Sequence, residues 1–148
     1  MTMELYMCGF NAHHQLIHGR NEDVMQYTRI CRSAQLKVRC ALWSSTVIEA
    51  DGVLMHRGFR LQGSDPIIIE GPPARHLKSI FGDTSGVLGA LTTDGSLYVH
   101  QDKPGATQSS ELKRHHFDED SFIQTQNLAI DYIAIADNGE VCIITSKS

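Results

Sequence analysis

Several features that define common protein classes are missing from this sequence of 148 residues. No apolar run reaches the ~18–20 residues that a membrane-crossing helix needs, and no signal peptide precedes Glu4. The net charge is −4 and no run of basic residues occurs, so the electrostatic footprint of a nucleic-acid-binding protein is lacking. These absences predict a cytoplasmic or nuclear protein without membrane contact and without direct nucleic-acid binding.

The four cysteines form no Cys-x-x-Cys pair, which argues against the closely spaced thiolates of a zinc ribbon. Cys8, Cys40 and Cys142 each lie in an apolar, strand-like run, where a free thiol behaves as a small hydrophobic side chain. We therefore expect reduced thiols in the interior of the protein.

The motifs of the common enzyme classes are also missing. There is no Gly-x-Ser-x-Gly nucleophile elbow, no phosphate-binding loop and no dinucleotide fingerprint. His13, His14 and His18 form a local cluster of candidate metal ligands, but no Glu base lies between them and the context predicts a loop rather than a helix. We expect no catalytic residue, cofactor or metal; a small metal-dependent enzyme that uses these histidines is the alternative.

What the sequence does contain is a recurring hairpin pattern, an apolar run on each side of an Asp-Gly or Asn-Gly pair. The pairs are Asp51-Gly52, Asp94-Gly95 and Asn138-Gly139, at spacings of 43 and 44 residues. Such pairs favour a type I′ turn, because both central residues need positive φ. Self-similarity at ~40–50 residues is typical of β-propeller blades or a comparable β-repeat array, with three unrelated hairpins as the alternative.

The remaining segments are assigned from local composition. Strands are predicted at Leu5–Gly9, Leu36–Leu42, Thr46–Ala50, Ile67–Ile69, Leu77–Phe81, Val87–Leu91, Leu128–Ile130 and Tyr132–Ala136. The run Ile67–Ile69 is predicted as an outer edge strand, because prolines flank it. Arg20–Ala34 is polar and predicts a linking loop, and Gln101–Ser121 predicts an exposed insertion. Trp43 follows apolar neighbours and is predicted to be a core residue.

The stretch Gly9-Phe-Asn-Ala-His-His-Gln-Leu-Ile-His-Gly19 follows the first predicted strand. It resembles the signature loop of the regulator of chromosome condensation repeat family, with matches at Gly9, Asn11, Gln15, Leu16 and Gly19. His14 and Ile17 stand where the family pattern usually has glycine. The resemblance implies an all-β fold of antiparallel β-propeller blades, in which each repeat contributes a central hairpin and this loop.

This pattern predicts a single partial propeller domain, 1–148. Its first part, roughly 1–35, holds the opening strand and the signature loop, and the repeats lie at roughly 36–74, 75–122 and 123–148. Three hairpins make about three blades, fewer than the ~4–8 of a closed propeller. We therefore expect an incomplete ring, whose open ends are covered by self-association, by a missing C-terminal portion or by another chain. A small compact β domain that shares the pattern is the alternative.

The resemblance implies a non-enzymatic scaffold that binds protein partners through loops at the rims of a rigid ring. Two roles come with the family. One is exchange-factor activity toward a small GTPase. The other belongs to the short fungal type, the alpha-tubulin suppressor proteins, and is associated with transfer-RNA wobble modification and diphthamide synthesis. The lack of a basic tail and the position of the signature loop near the first residue favour the short type.

Overall fold

The computed structural model describes residues 1–17, 19–58, 66–100, 110–136 and 140–147. Within these residues the chain is all-β, with a single turn of 3-10 helix at Ala74–His76 and one short helix, α1 (Phe122–Thr125). The predicted fold class is confirmed at this level. The strands are β1 (Met3–Gly9), β2 (Val24–Ser33), β3 (Leu36–Ala41), β4 (Ser45–Ala50), β5 (Val53–Gly58), β6 (Ile67–Glu70), β7 (Leu77–Asp83), β8 (Gly86–Thr92), β9 (Leu97–His100), β10 (Ser110–Arg114), β11 (Leu128–Ile135) and β12 (Val141–Lys147).

Two four-stranded antiparallel meanders form the centre of the molecule. Strands β3 to β6 make the first meander and strands β7 to β10 make the second, each in sequence order. The fourth strands, β6 and β10, pair in parallel through Ile69 with Ser110 and Glu70 with Glu111. This pairing joins the meanders into one eight-stranded sheet, and its end strands β3 and β7 lie against each other, so the sheet is nearly closed.

A hydrophobic core fills the space between the two meanders. Its buried residues come from both meanders and from the 3-10 turn between them: Val47, Leu54, Ile69, Ala74, Leu77, Ile80, Ala90 and Leu112. Gly82 in β7 faces the connection between β3 and β4, since a Cβ on this residue would come within 2.7 Å of Leu42 Cδ1 and within 2.1 Å of Gly86 O. The absence of a side chain at Gly82 therefore allows the two meanders to pack this tightly.

A two-stranded hairpin lies on each side of the meanders in the sequence. Strand β1 pairs with β2, and β11 pairs with β12. Strand β11 packs on β7 and buries Ile130 and Ile133 in a second core with Phe81 and Leu91. Strand β12 remains largely exposed, including its apolar residues Val141, Ile143 and Ile144.

A β-bulge marks the first strand of each meander and also β11. The pairing with the following strand shifts at Arg39 in β3, at Lys78 in β7 and at Asp131 in β11. Strand β11 also lies beside β7, as β7 lies beside β3. By bulge and by packing, β11 and β12 therefore correspond to the first and second strands of a meander.

The two Asp-Gly pairs lie in hairpin turns, but the turns differ. Asp51 and Gly52 have φ of 48° and 81°, as the predicted type I′ turn requires. In the other pair only Gly95 has positive φ, 77°, and its N–H donates to Thr92 O at 3.0 Å. That loop therefore has three residues with the glycine last, and the type I′ prediction is wrong there.

Asn138 and Gly139 lie outside the described residues, so their turn type stays a prediction. In the sequence these two residues lie between β11 and β12. The bulge in β11 marks this strand as a first strand and β12 as a second strand. The Asp-Gly turns join second strands to third strands instead. The spacing of 44 residues therefore does not mark an equivalent turn.

Three further assignments are wrong. Arg20–Ala34 contains β2, a ten-residue strand whose polar composition reflects its exposure rather than a loop. Ile67–Ile69 belongs to β6, which pairs with β5 and with β10 and is not an edge strand. Gln101–Ser121 contains β10, whose Leu112 is buried in the core. Residues 101–109 of that segment lie outside the described residues.

The cysteines are free, as expected, but two of them are not interior. Cys8 on β1 and Cys142 on β12 are exposed, because neither hairpin is covered on its outer side. Cys40 is half-buried, and burial raises the pKa of its thiol to about 11. Only Cys40 therefore has the character of a hydrophobic core side chain that the sequence predicted for three cysteines.

Candidate functional site

The loop that follows β1 is organised by the side chain of Asn11, which is fully buried. Its Oδ1 accepts hydrogen bonds from the N–H groups of Leu16 at 2.9 Å and Ile17 at 3.0 Å. Its Nδ2 donates to Arg20 O at 2.8 Å. One amide side chain thus satisfies backbone groups on both sides of the loop, which an irregular buried segment needs.

Gln15 and Leu16 fasten the loop to the first meander. Gln15 is buried; its Oε1 accepts from His13 N at 3.0 Å and its Nε2 donates to Trp43 O at 3.1 Å. The backbone O of Leu16 accepts from Arg57 Nη1 at 3.3 Å. The loop is therefore bonded to the β3–β4 turn and to β5.

Three of the described residues of the loop have a left-handed backbone. Gly9 and Gly19 have φ of 120° and 74°, and His14 has φ of 59°. His14 is one of the two positions where the family pattern usually has glycine, and its ring Nδ1 lies 2.6 Å from Arg20 O. Because a carbonyl oxygen only accepts, Nδ1 carries the proton in this contact. The hydrogen bond offsets part of the strain of a side chain at this φ.

An exposed group of aromatic rings lies on this framework, and we call Phe10, His13 and Trp43 the aromatic step. The rings of Phe10 and Trp43 are stacked, with centroids 4.6 Å apart and planes at 26°. The ring of His13 meets Phe10 edge-on at 5.9 Å. Trp43 is 60% exposed and Phe10 is 39% exposed.

The prediction that Trp43 is a core residue is wrong. The connection between β3 and β4 is closed by Leu42 N donating to Ser45 O at 2.8 Å. Ser44 and Ser45 are completely buried in that connection, whereas the indole is exposed. A signal was present in the sequence, since Trp43 falls between two predicted strands and connections normally lie on the surface.

The predicted site residues that the structure describes divide into two groups, and Asn138 and Gly139 lie outside the described residues. Gly9, Asn11, Gln15, Leu16 and Gly19 lie together in the loop that carries the aromatic step. The two Asp-Gly pairs lie in the β4–β5 and β8–β9 turns.

The Asp side chains of those turns bond to nearby backbone and hydroxyl groups. Asp51 Oδ1 accepts from Gln35 N at 2.9 Å, and hydrogen bonds led by Ser33 lower the pKa of its carboxyl. Asp94 Oδ1 accepts from Thr92 Oγ1, and this bond is the main cause of its lowered pKa. Both carboxylates therefore support turns.

Across the described part of the chain, no group of three or more His, Cys, Asp and Glu side chains is arranged to hold a metal ion. His13 belongs to the aromatic step and His14 bonds to a backbone carbonyl. His18 lies outside the described residues, so the histidine-cluster alternative stays a prediction.

Comparison with known proteins gives no relative for this site. The chain matches no family model, and no curated protein matches it. Among the described residues, no helix has the length and apolar character to cross a membrane.

Proposed function

We propose that this protein is a non-enzymatic interaction scaffold built from propeller-type blades, and that the aromatic step is its docking point for a protein partner. The observation that carries this proposal is an exposed Trp43 stacked on an exposed Phe10. Trp is among the residues most enriched where truncation weakens protein complexes, and a stacked ring loses little conformational freedom on binding.

The framework beneath the step supports this function. Asn11 and Gln15 are buried, and their amide groups bond the loop to itself and to Trp43 O. These bonds fix the backbone that carries the rings before a partner arrives, which reduces the entropic cost of association. An enzyme would need convergent titratable groups instead, and the exposed surface here is aromatic.

The propeller interpretation rests on the two meanders and on the signature loop. A propeller consists of four-stranded antiparallel blades packed face to face, and the meanders β3 to β6 and β7 to β10 are two four-stranded antiparallel units with a shared core. The loop bonds made by Asn11 and Gln15 give a physical reason for the residues that resemble the regulator of chromosome condensation repeat family. Within that family the short fungal type, linked to transfer-RNA wobble modification and diphthamide synthesis, remains the role we propose first.

The experiment is quantitative affinity purification with Trp43→Ala beside the unchanged protein. Met25→Ala is the matched control, because Met25 is exposed and apolar but lies on β2 outside the aromatic step. We expect the specific partner to be lost with Trp43→Ala and retained with Met25→Ala. With the purified partner, affinity should fall by about 10-fold or more, as truncation of a binding hot spot does.

Equal binding by the unchanged protein and both variants would overturn the aromatic step as the docking point. If the captured partner is a small GTPase whose nucleotide release is accelerated, the exchange-factor role replaces the one proposed first. Stoichiometric zinc in the purified protein, with a melting temperature that depends on it, would instead favour the metal-dependent enzyme.

A further inference from the structure

Two connections lie side by side next to the aromatic step. The β3–β4 connection carries Trp43, and the β7–β8 turn lies against it. A Cβ added to Gly82 would come within 2.7 Å of Leu42 Cδ1, and one added to Gly86 would lie 3.2 Å from Ser45 Oγ. The residues before and after the β7–β8 turn therefore pack on the residues before and after Trp43.

A carboxylate flanks the aromatic step on each side. Asp83 ends β7 and lies between the two glycines of that contact, so it is next to the connection that carries Trp43. Asp23 lies on the side of Phe10, because its Oδ1 accepts a hydrogen bond at 3.3 Å from the N–H of Asn11, the residue after Phe10. A partner that covers both rings therefore comes close to both carboxylates.

Both carboxylates keep most of their acceptor capacity. An ionised carboxylate accepts about four hydrogen bonds. Asp23 accepts one from Asn11 N, and Asp83 accepts one from Ser85 N at 2.7 Å. Neither forms an ion pair with a described residue, and Asp23 is exposed while Asp83 is partly exposed. Both are therefore available to a donor that a partner supplies.

The exposed charge around the aromatic step is negative. Among its described residues the loop carries Glu22 and Asp23 against Arg20, all three of them exposed, and Asp83 adds a further negative charge. Arg57 is partly buried beneath the loop, where it donates to a backbone carbonyl. An acidic partner would be repelled, and an apolar partner would remove the carboxylates from water without supplying a donor. The complementary segment is therefore basic.

The open indole decides which basic side chain fits. The stack with Phe10 occupies one face of the Trp43 ring, and Trp43 is still 60% exposed. A planar guanidinium stacks on an indole and donates to a carboxylate through two parallel bonds, whereas a lysine ammonium is a strongly hydrated point charge. We propose that the partner segment places an arginine on Trp43 and pairs its guanidinium with Asp83, while Asp23 attracts the same basic segment. This proposal rests on the docking role of the aromatic step.

The first test is selection from a library of random peptides displayed on phage. The library is selected on the 148-residue protein, and peptides that also bind Trp43→Ala are discarded. Circular dichroism confirms that Trp43→Ala is folded. We expect the remaining peptides to be enriched in arginine over the unselected library, and in arginine more than in lysine, because the guanidinium stacks on the indole.

The second test measures affinity at the aromatic step itself. Trp43 is the sole tryptophan of the chain, so its fluorescence reports the binding of a tryptophan-free synthetic peptide from the selected pool. Replacing the arginine of the peptide by citrulline, which keeps the shape and removes the charge, should weaken binding by about 10-fold or more. Replacing it by lysine should weaken binding by about 3-fold or more.

Variants of the protein test the ion pair. Asp83→Asn should weaken binding of the arginine peptide by about 5-fold and Asp23→Asn by about 2-fold, and added salt should reduce both differences. Each asparagine keeps an Oδ1 that accepts the existing backbone hydrogen bond, so only the charge is removed. Asp118→Asn is the matched control, because Asp118 is exposed but lies in the β10–β11 connection, at the opposite end of the second meander. It should leave the affinity unchanged.

The outcomes separate this proposal from the proposed function. Trp43-dependent peptides without enriched arginine overturn the arginine and leave the docking point standing, as does equal binding after the change to citrulline or lysine. Equal affinity of Asp83→Asn and the unchanged protein overturns the ion pair. If no selected peptide depends on Trp43, the docking point itself is overturned.

Discussion

The central meanders and the β11–β12 hairpin both contain apolar strands, but the apolar residues are buried in the meanders and exposed in β12. Val47 and Leu91 lie in apolar strands next to a bulge and are inaccessible to solvent, whereas Ile144, at the corresponding place, is mostly exposed. Nothing in the local sequence of β12 accounts for this difference. Burial of a strand in this fold is decided by the layers on each side of it, and the apolar residues of β12, which no layer covers on its exposed side among the described residues, stay in water.

The largest effect is expected where the core is complete. Leu91→Ala should lower the free energy of unfolding by ~2–5 kcal/mol, because it leaves a cavity in a fully buried position. Ile144→Ala should change it by no more than ~0.5 kcal/mol in dilute, monomeric protein, as for other exposed positions. Denaturant unfolding of both variants checks the comparison. Equal losses would show that the two positions are buried alike in solution.

A pH effect of similar size is expected in the first meander. His56 on β5 is buried, and burial, with a smaller contribution from the charge of His100, lowers its pKa from 6.5 to about 4. Between pH 6.5 and about 4, His56 therefore binds a proton in the unfolded chain but not in the folded chain. The free energy of unfolding should fall by up to ~3 kcal/mol as the pH falls from 6.5 to about 4. Above pH 6.5 the full stabilising contribution of the neutral His56 should be present.

Thermal unfolding at several pH values measures this dependence. His56→Gln should flatten the stability profile between pH 6.5 and 4, whereas His116→Gln, at an exposed position, should leave the slope unchanged. An identical slope in His56→Gln would assign the acid sensitivity to other groups.

The two glycine turns allow a finer comparison. Gly52→Val places a branched side chain at positive φ with no atom within 4 Å of its Cβ, so it should cost ~1–2 kcal/mol of backbone strain. Gly95→Val adds contact with β11, since its Cβ would lie 3.2 Å from Ala129 Cβ. We expect it to cost about 1 kcal/mol more. Equal costs would show that the β8–β9 turn does not pack on β11.

The smallest effect is expected at the ion pair between the second meander and β11. Lys78 Nζ and Asp131 Oδ1 are 3.5 Å apart, and both side chains are about two-fifths exposed. A double-mutant cycle with Lys78→Ala and Asp131→Ala should give a coupling energy of ~0–1 kcal/mol that falls with added salt. A coupling that salt does not weaken would indicate a drier contact between β11 and β7.

Local sequence patterns predicted the strands that alternate with strong turn signals. Asp51-Gly52 and Asp94-Gly95 both lie at hairpin ends, because Gly tolerates the positive φ that these turns need. Strands β2 and β10 were missed because their residues are polar or exposed and their pairing partners are distant or parallel. Ile69 and Ser110 are far apart in the sequence, and no local pattern predicts that they pair.

One part of the candidate site, the loop residues, could be predicted from the sequence, and the other part, the exposed rings, could not. Asn11 and Gln15 could be singled out as loop residues, and their hydrogen bonds explain why those residue types are there. Trp43 was placed in the core because its preceding neighbours are apolar. Its exposure follows from its position in the β3–β4 connection, and its stacking with Phe10 is a contact between two loops that are separate in the sequence. Only the folded chain brings these two rings together.

The short parallel pairing between β6 and β10 has a consequence for how the molecule opens. It joins the outer edges of the two meanders at Ile69 and Glu70, while Leu112 next to it is buried in their shared core. Neither meander can detach without breaking that pairing and exposing the core of the other. In hydrogen exchange the amide protons of β4 and β8 should therefore be released in a single cooperative event, whereas those of β12 exchange earlier and independently.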